Sequence, residues 1–260
     1  MLSTFLAYRV YAQDIARSLA QTQARADVSR DAKYYQDNIG KVASVDAFLK
    51  NHRLFAFAMK AHGLEDMTYA KAFMRKVLEE GVDKKDSFAN SLSDRRYREF
   101  AEAFNFQRHG AATTAFGRTQ QGTVDKFYRQ TLEEDAGAED EGVRLALYFT
   151  RKAPTVDSIL GLLADPALLK VTQTMLGISE ATGALDIDKQ SAMFEKRLDV
   201  KDLKDPEKLQ KLITRFTSMW EMQKGQSAIS GASILIGGPI ALGLSGDLLA
   251  SIQNFRLGGR

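Results

Sequence analysis

Across residues 3–38 Phe5, Leu6, Val10, Ile15 and Leu19 return at close to helical spacing with polar residues between them and almost no breakers. That pattern predicts one long amphipathic helix, or two collinear ones, over the amino-terminal region 1–43. Past Leu19 the apolar stripe thins to the alanine-rich, polar stretch Gln21 to Val28. A helix so weakly amphipathic either projects from the core or pairs with another helix, which makes it a candidate contact surface.

Further along, the pattern occurs twice. Ser44-Val45-Asp46-Ala47-Phe48-Leu49 opens a segment that continues through Gly63-Leu64, Phe73-Met74-Arg75-Lys76-Val77-Leu78 and Tyr97, Phe100, Ala101 and Phe104. Thr155-Val156-Asp157-Ser158-Ile159-Leu160 opens another, which runs in the same order through Gly177-Ile178, Met193-Phe194-Glu195-Lys196-Arg197-Leu198 and Leu209, Leu212, Ile213 and Phe216. Equivalent residues in four successive blocks predict two copies of one helical unit, over 44–106 and 155–225. The predicted fold is therefore all-α and multi-helical, with two tandem duplicated modules.

The helix ends are legible. Ser44 and Asn51 each precede an apolar helical pattern, Val45, Phe48 and Leu49 after the first and Leu54, Phe55, Ala58 and Met59 after the second. Their side chains can accept from backbone N–H groups that a helix start leaves unpaired. Gly63 is placed to end the second of these helices. Asp94-Arg95, Asp165-Pro166 and Asp205-Pro206 read as further starts, because proline lacks an N–H that would be unpaired there anyway.

Between the modules, 107–154 reads as a linker followed by connecting helices. Residues 107–122 are rich in Gly, Ala, Thr and Gln and have the composition of a linker, and Thr123 to Leu132 return to helical spacing before an acidic turn from Glu133 to Glu141. The run from Gly142 to Ala153 is apolar on nearly every face and stops at Pro154. It predicts the most buried helix of the protein.

From Gln226 the composition changes. Ile229 to Gly246 carries no charge but holds five glycines and Pro239. A span of about 18 uncharged residues is long enough to prompt a membrane reading, but glycine and proline cost a helix about 1 and 3 kcal/mol each relative to alanine. Membrane contact is therefore not favoured. An apolar Gly-rich tail over 226–260 that docks on its own core or on a protein partner is the preferred reading, with Ile234, Leu235, Ile236, Ile240, Leu242, Leu244, Leu248 and Leu249 as the candidate partner-binding residues.

Composition narrows the chemistry. The 260 residues are 44% apolar and 27% charged, ordinary for a folded chain, and 36 basic against 33 acidic residues leave a net charge of +3 that is too small and too dispersed to favour nucleic acid. With no cysteine, disulfides and thiol catalysis are excluded. The amino terminus lacks the basic start, apolar run and Ala-x-Ala site of a cleaved secretory signal, which leaves a signal-independent export route or the cytoplasm.

His52, His62 and His109 are the three histidines. The first two lie about 15 Å apart along one predicted helix, too far to share an ion, and all three are expected to be surface or locally bonded side chains. The acidic groups Glu79-Glu80, Glu133-Glu134-Asp135 and Glu139-Asp140-Glu141 lack calcium-loop spacing and read as solvated turns and helix ends. Arg95-Arg96-Tyr97-Arg98 beside Glu99 and Glu102 reads as a charged helix face with i,i+4 pairing. Gly237-Gly238-Pro239 and Gly243-Leu244-Ser245-Gly246 are rich in glycine, but neither is followed by the Lys-Ser/Thr of a phosphate loop. No catalytic residue, metal site or cofactor is expected, and the oligomeric state is open.

The strings Ser87-Phe88-Ala89-Asn90, Arg96-Tyr97, Phe104-Asn105-Phe106, Gly142 to Phe149 with Arg151-Lys152-Ala153-Pro154, and Ala164-Asp165-Pro166-Ala167 resemble a bacterial domain-of-unknown-function family, number 1217. The likeness extends over roughly 40–220. It implies an all-helical fold and an association with the flagellar gene clusters of alphaproteobacteria, and supplies no catalytic residue. The expectation is a non-enzymatic structural or assembly protein of the flagellum, in the basal-body and rod region, with flagellar proteins as partners. The alternative is a cytoplasmic export chaperone or regulatory adaptor that holds a client helix.

Overall fold

The structure, a computed structural model, describes residues 2–236, with side chains to residue 225. The described residues form helices and no strand. The amino-terminal region is three helices, α1 (Thr4–Ala12), α2 (Ile15–Ala24) and α3 (Ala26–Ile39). The break after α1 comes at Asp14, whose carboxylate accepts from the N–H of Arg17 at 2.9 Å and so starts a new helix. The break before α3 comes at Arg25, which is extended at φ −65° and ψ 135°. One long helix, or two collinear ones, is thus corrected to three, with capping chemistry overriding the apolar period. α2 does not project: Ser18 and Thr22 are buried, and the helix packs on the helix Gln121–Glu139.

The first module comprises α4 (Val45–Lys50), α5 (His52–Ala61), α6 (Lys71–Glu80), α7 (Phe88–Ser91) and α8 (Arg95–Ala103), followed by the short α9 (Phe106–His109). Ser44 accepts from Ala47 N–H at 3.2 Å and Asn51 from Leu54 N–H at 3.2 Å, so both caps stand where the sequence placed them. Gly63 takes φ +69° just past α5, a conformation that side chains with a Cβ rarely adopt. The core is aromatic: Phe48 stacks on Phe104 at 4.9 Å and meets Phe55 edge-on at 5.7 Å. Beside it Phe57 is sandwiched between Tyr35 at 4.4 Å and Phe127 at 3.9 Å.

Residues 107–122 are mostly exposed but are anchored to the first module, not a loose linker. Thr113, Thr114 and Thr119 are all buried; the Thr114 hydroxyl donates to the Val42 carbonyl at 2.8 Å, and Tyr35 donates to the Thr119 carbonyl at 2.7 Å. Threonine hydroxyls satisfy carbonyls that a loop would otherwise bury unpaired, so a composition typical of a linker serves here as a polar seam.

α10 (Gln121–Glu139) and α11 (Glu141–Lys152) follow. Helix α10 runs on through the acidic residues to Glu139, where a turn was expected, and only Asp140 interrupts it. Its beginning, Val124 and Phe127, belongs to the first core, whereas Ala136 belongs to a second core that also holds Tyr8. That second core is built by α11, α12 (Ile159–Leu163), α13 (Pro166–Leu176), α14 (Ile187–Glu195) and α15 (Pro206–Ile236), with α1 packed on α11 and α15.

In each module a short helix, a longer helix, a 3₁₀ turn and a further helix succeed one another: α4, α5, Glu65–Met67 and α6, then α12, α13, Glu180–Ala184 and α14. Phe48 and Ile159, Leu54 and Leu168, Leu78 and Leu198, and Phe104 and Phe216 are buried in pairs, whereas Tyr97 is half-buried against a buried Leu209. The most buried helix is α13, with seven of its 11 residues buried, against six of 12 in α11. The reason is a polar stripe on α11, which lines a cavity.

Candidate functional site

The carboxyl-terminal site residues proposed from the sequence fall at the edge of the description. Ile234, Leu235 and Ile236 lie in the last turn of α15, with side chains outside the described residues, and Ile240, Leu242, Leu244, Leu248 and Leu249 lie outside them altogether. What the structure does describe is how α15 leaves the body. Leu209, Ile213, Phe216 and Thr217 are buried, whereas Glu221 to Gly225 are exposed, Met222 among them at 59%. The point of departure is held by polar contacts to the start of α1. Thr4 N–H donates to Glu221 Oε2 at 2.9 Å, and the Thr4 hydroxyl lies 2.6 Å from the same oxygen and 2.7 Å from Asp140 Oδ2.

The second feature is a cavity of about 590 Å³ at the junction of the two modules. On α11, Arg144, Tyr148, Arg151 and Lys152 follow at spacings of four, three and one, so they share one face of the helix and all reach the cavity. Opposite stand the end of α5, with His62, and Arg96 and Glu99 of α8; Lys126 of α10, Lys170 of α13 and Trp220 of α15 complete the wall. Neither module encloses the space alone.

Most of these charges are paired. Arg151 donates from Nε and Nη2 to the two oxygens of Glu133 at 2.8 and 2.7 Å, and Arg129 donates to the same carboxylate at 2.9 Å. Lys152 reaches both oxygens of Glu99 at 2.8 Å, linking α11 to α8 across the junction. Arg144 is paired with Glu141, Lys170 with Glu180, and Arg96 with Asp94 at 2.7 Å. Tyr148 donates to Asp165 Oδ2 at 2.6 Å, while Asp165 Oδ1 caps α13. Burial first, and then the Asp165 charge, push the Tyr148 phenol up from its ordinary value, so it stays a donor.

Three polar groups on the wall are left over. Lys126 forms no ion pair among the described residues, and burial, reinforced by Lys152 and Arg151 although opposed by Glu99, lowers its pKa below 10.5. His62 is only 9% exposed, packed edge-on against Phe100 at 5.2 Å, and its Nε2 has no hydrogen-bond partner. Burial first, then the charges of Lys126 and Lys152, hold its pKa well below 6.5, so the ring is neutral. The Trp220 indole N–H is likewise buried and unpartnered.

The sequence reading placed these residues differently. His62 is a core side chain rather than a surface one, because the helix it ends runs into the module junction; His52 is exposed and His109 half-buried. Glu133 is no solvated turn residue but 1% exposed between two arginines. The Arg95-Arg96-Tyr97-Arg98 face does not pair at i,i+4: Arg96 turns back to Asp94 at the cap of its own helix and to the Gly63 carbonyl, and Glu99 reaches Lys152 of α11. Long side chains at a junction take partners from other helices. A signal for the cavity was present in the polar stripe on the otherwise apolar α11. Among the described residues no group of three or more His, Asp or Glu is placed to hold a metal ion, and no helix is long and apolar enough to cross a membrane.

Comparison with known proteins places the chain. Residues 61–209 match the family described as Protein of unknown function (DUF1217), and the chain belongs to this family. Its fold is similar to the crystal structure of protein AGR_C_984 from Agrobacterium tumefaciens, with 50% sequence identity, a TM-score of 0.79, and coverage of 86% of this chain and 97% of that one. No curated protein matches.

Proposed function

We propose that the protein is a non-enzymatic structural or assembly component of the bacterial flagellum, acting at the basal body through a contact made by its carboxyl-terminal segment. The observation that carries the contact is the path of α15, a 31-residue helix whose buried side chains run to Thr217 and which is exposed from Glu221 to Gly225. A helix that turns from buried to exposed positions offers a surface to a partner, and the sequence that follows is the most apolar and least charged part of the chain. The flagellar setting rests on what the resemblance of the chain's motifs implies about gene neighbourhood. The modules serve as a rigid scaffold, read as two copies of one unit because their elements succeed one another in parallel.

The test is fractionation together with deletion. An assembly component sediments with purified basal bodies, and its loss abolishes motility. Recovery only in the soluble fraction, bound to a client protein, would favour the adaptor instead; normal motility without the gene would remove the flagellum from the account.

A further inference from the structure

Helix α1 is partnered on one face and bare on the other. Thr4 and Tyr8 are buried where α1 packs on α11 and α15, whereas Leu2, Leu6 and Val10, at intervals of four along the opposite face, are 64%, 49% and 64% exposed. Large apolar side chains scattered singly over a surface need no explanation, but three in line on one helix face mark a contact. The carboxyl-terminal segment starts beside that line. Glu221 of α15 is bonded to the N–H and the hydroxyl of Thr4, which stands between Leu2 and Leu6.

The direction of α15 decides how the segment meets α1. Trp220 lies against Gly142 and Lys224 reaches Asp140, so α15 runs antiparallel to α11; Thr4 meets Asp140 and Tyr8 meets Thr150, so α1 runs with α11. Helix α15 therefore leaves past the start of α1. From Trp220 to Ile236 it carries the chain about 24 Å, and Gly237-Gly238-Pro239, outside the described residues, has the composition of a turn. About seven or eight extended residues retrace that distance, which brings Asp247 level with the start of α1. Beyond it Leu248, Ile252 and Phe255 follow at helical spacing over about 10 Å, against about 12 Å from Leu2 to Val10.

We propose that residues 247–257 of this same chain lie along the outer face of α1, with Leu248, Ile252 and Phe255 covering Leu2, Leu6 and Val10. The tether selects the chain's own segment over a second copy, because a short linker holds it at an effective concentration on the order of millimolar. The cover is exchangeable and rests on a body that folds without it, so the apolar residues that the proposed function gives to a partner are kept from water in the free protein. The inference stands on the direction of α15 and the bare face of α1, and not on the flagellar setting.

Because the chain has no cysteine, a disulfide reports one chosen pair. In the purified full-length protein Arg9→Cys, at an exposed position beside Leu6 and Val10, is combined with Ser251→Cys and oxidised. The expected product is an intramolecular disulfide, a monomer of raised mobility on a non-reducing gel. It should form at a rate independent of protein concentration and roughly tenfold or more faster than when Arg30→Cys, exposed on α3, replaces Arg9→Cys. Adding Leu6→Asp and Val10→Asp, both at exposed sites, should slow the reaction to the control rate, and Leu248→Asp with Ile252→Asp in the segment itself should do the same. A disulfide-linked dimer would make a second copy the occupant. That result, a rate no faster than the control, or a rate that neither pair of aspartates changes overturns the proposal, and normal motility without the gene would leave it standing.

Discussion

Arg151 holds Glu133 with two parallel hydrogen bonds of 2.8 and 2.7 Å, although the two residues lie on different helices, α11 and α10, and Glu133 is 1% exposed. The pair stands where α10 passes from one core to the other, with Arg129 on the second side of the same carboxylate. Removing one partner from such a site leaves the remaining charges uncompensated, at a cost of about 3 kcal/mol or more. Glu133→Ala should lower stability by that amount in a denaturant titration, well beyond the effect of Asp202→Ala, which breaks the exposed pair with Lys208 and should cost less than about 1 kcal/mol.

Gly142 of α11 lies directly against Trp220 of α15. A Cβ there would lie 2.4 Å from Trp220 Cδ1, 2.5 Å from Nε1 and 2.8 Å from Thr4 Cγ2, all closer than atoms pack. Gly142→Ala should displace the indole at a cost of about 1–3 kcal/mol and shift the emission of the single tryptophan. Unchanged fluorescence and stability would mean that α1, α11 and α15 do not meet as described.

Leu147 and Phe149 are 1% and 0% exposed on the apolar face of α11. Replacing either with alanine leaves a cavity in the second core, and each change should cost about 2–5 kcal/mol. A loss below about 0.5 kcal/mol, the size of an ordinary surface substitution, would show that this helix is not at the centre of its module.

His62 gives the fold a pH dependence with a definite sign. Its imidazole faces Phe100 of α8 and Phe104 just past that helix, with Lys126 of α10 and Lys152 of α11 as neighbouring charges, and its pKa is held below the ordinary 6.5. The unfolded chain therefore takes up a proton as pH falls through 6.5 while the folded chain does not. The native state is fully favoured above that value and loses up to about 1.4 kcal/mol per pH unit below it, until the folded ring also protonates. His62→Phe should flatten the fall in melting temperature between about pH 6.5 and 5, and an unchanged pH profile would contradict the account.

What the sequence made legible was local. Ser44, Asn51, Asp94, Asp165 and Asp205 cap the helices they were expected to start, because each capping bond reaches only two or three residues along the chain. Asp14 carries the same chemistry, but it sits within an unbroken apolar period and only the structure shows that the cap prevails. The junction was not legible, since Glu99 finds Lys152 and Lys60 finds Glu134 across separations that no periodicity encodes. Charges that read as solvated faces became the wall of a cavity because two modules happen to close over them.

The most direct measurement is on the chain cut after Gly225. Residues 221–225 are exposed and lie outside both cores, and on the proposed reading the shortened protein should keep its melting temperature and lose only the helical circular dichroism of the removed turns. Motility and recovery with basal bodies should be lost, as they should for Ile240→Asp in the full-length protein, which sets an unpaired charge in an apolar contact. If the shortened protein unfolds, the segment belongs to the core; if it folds and supports normal motility, the segment makes no essential contact, and either result contradicts the account.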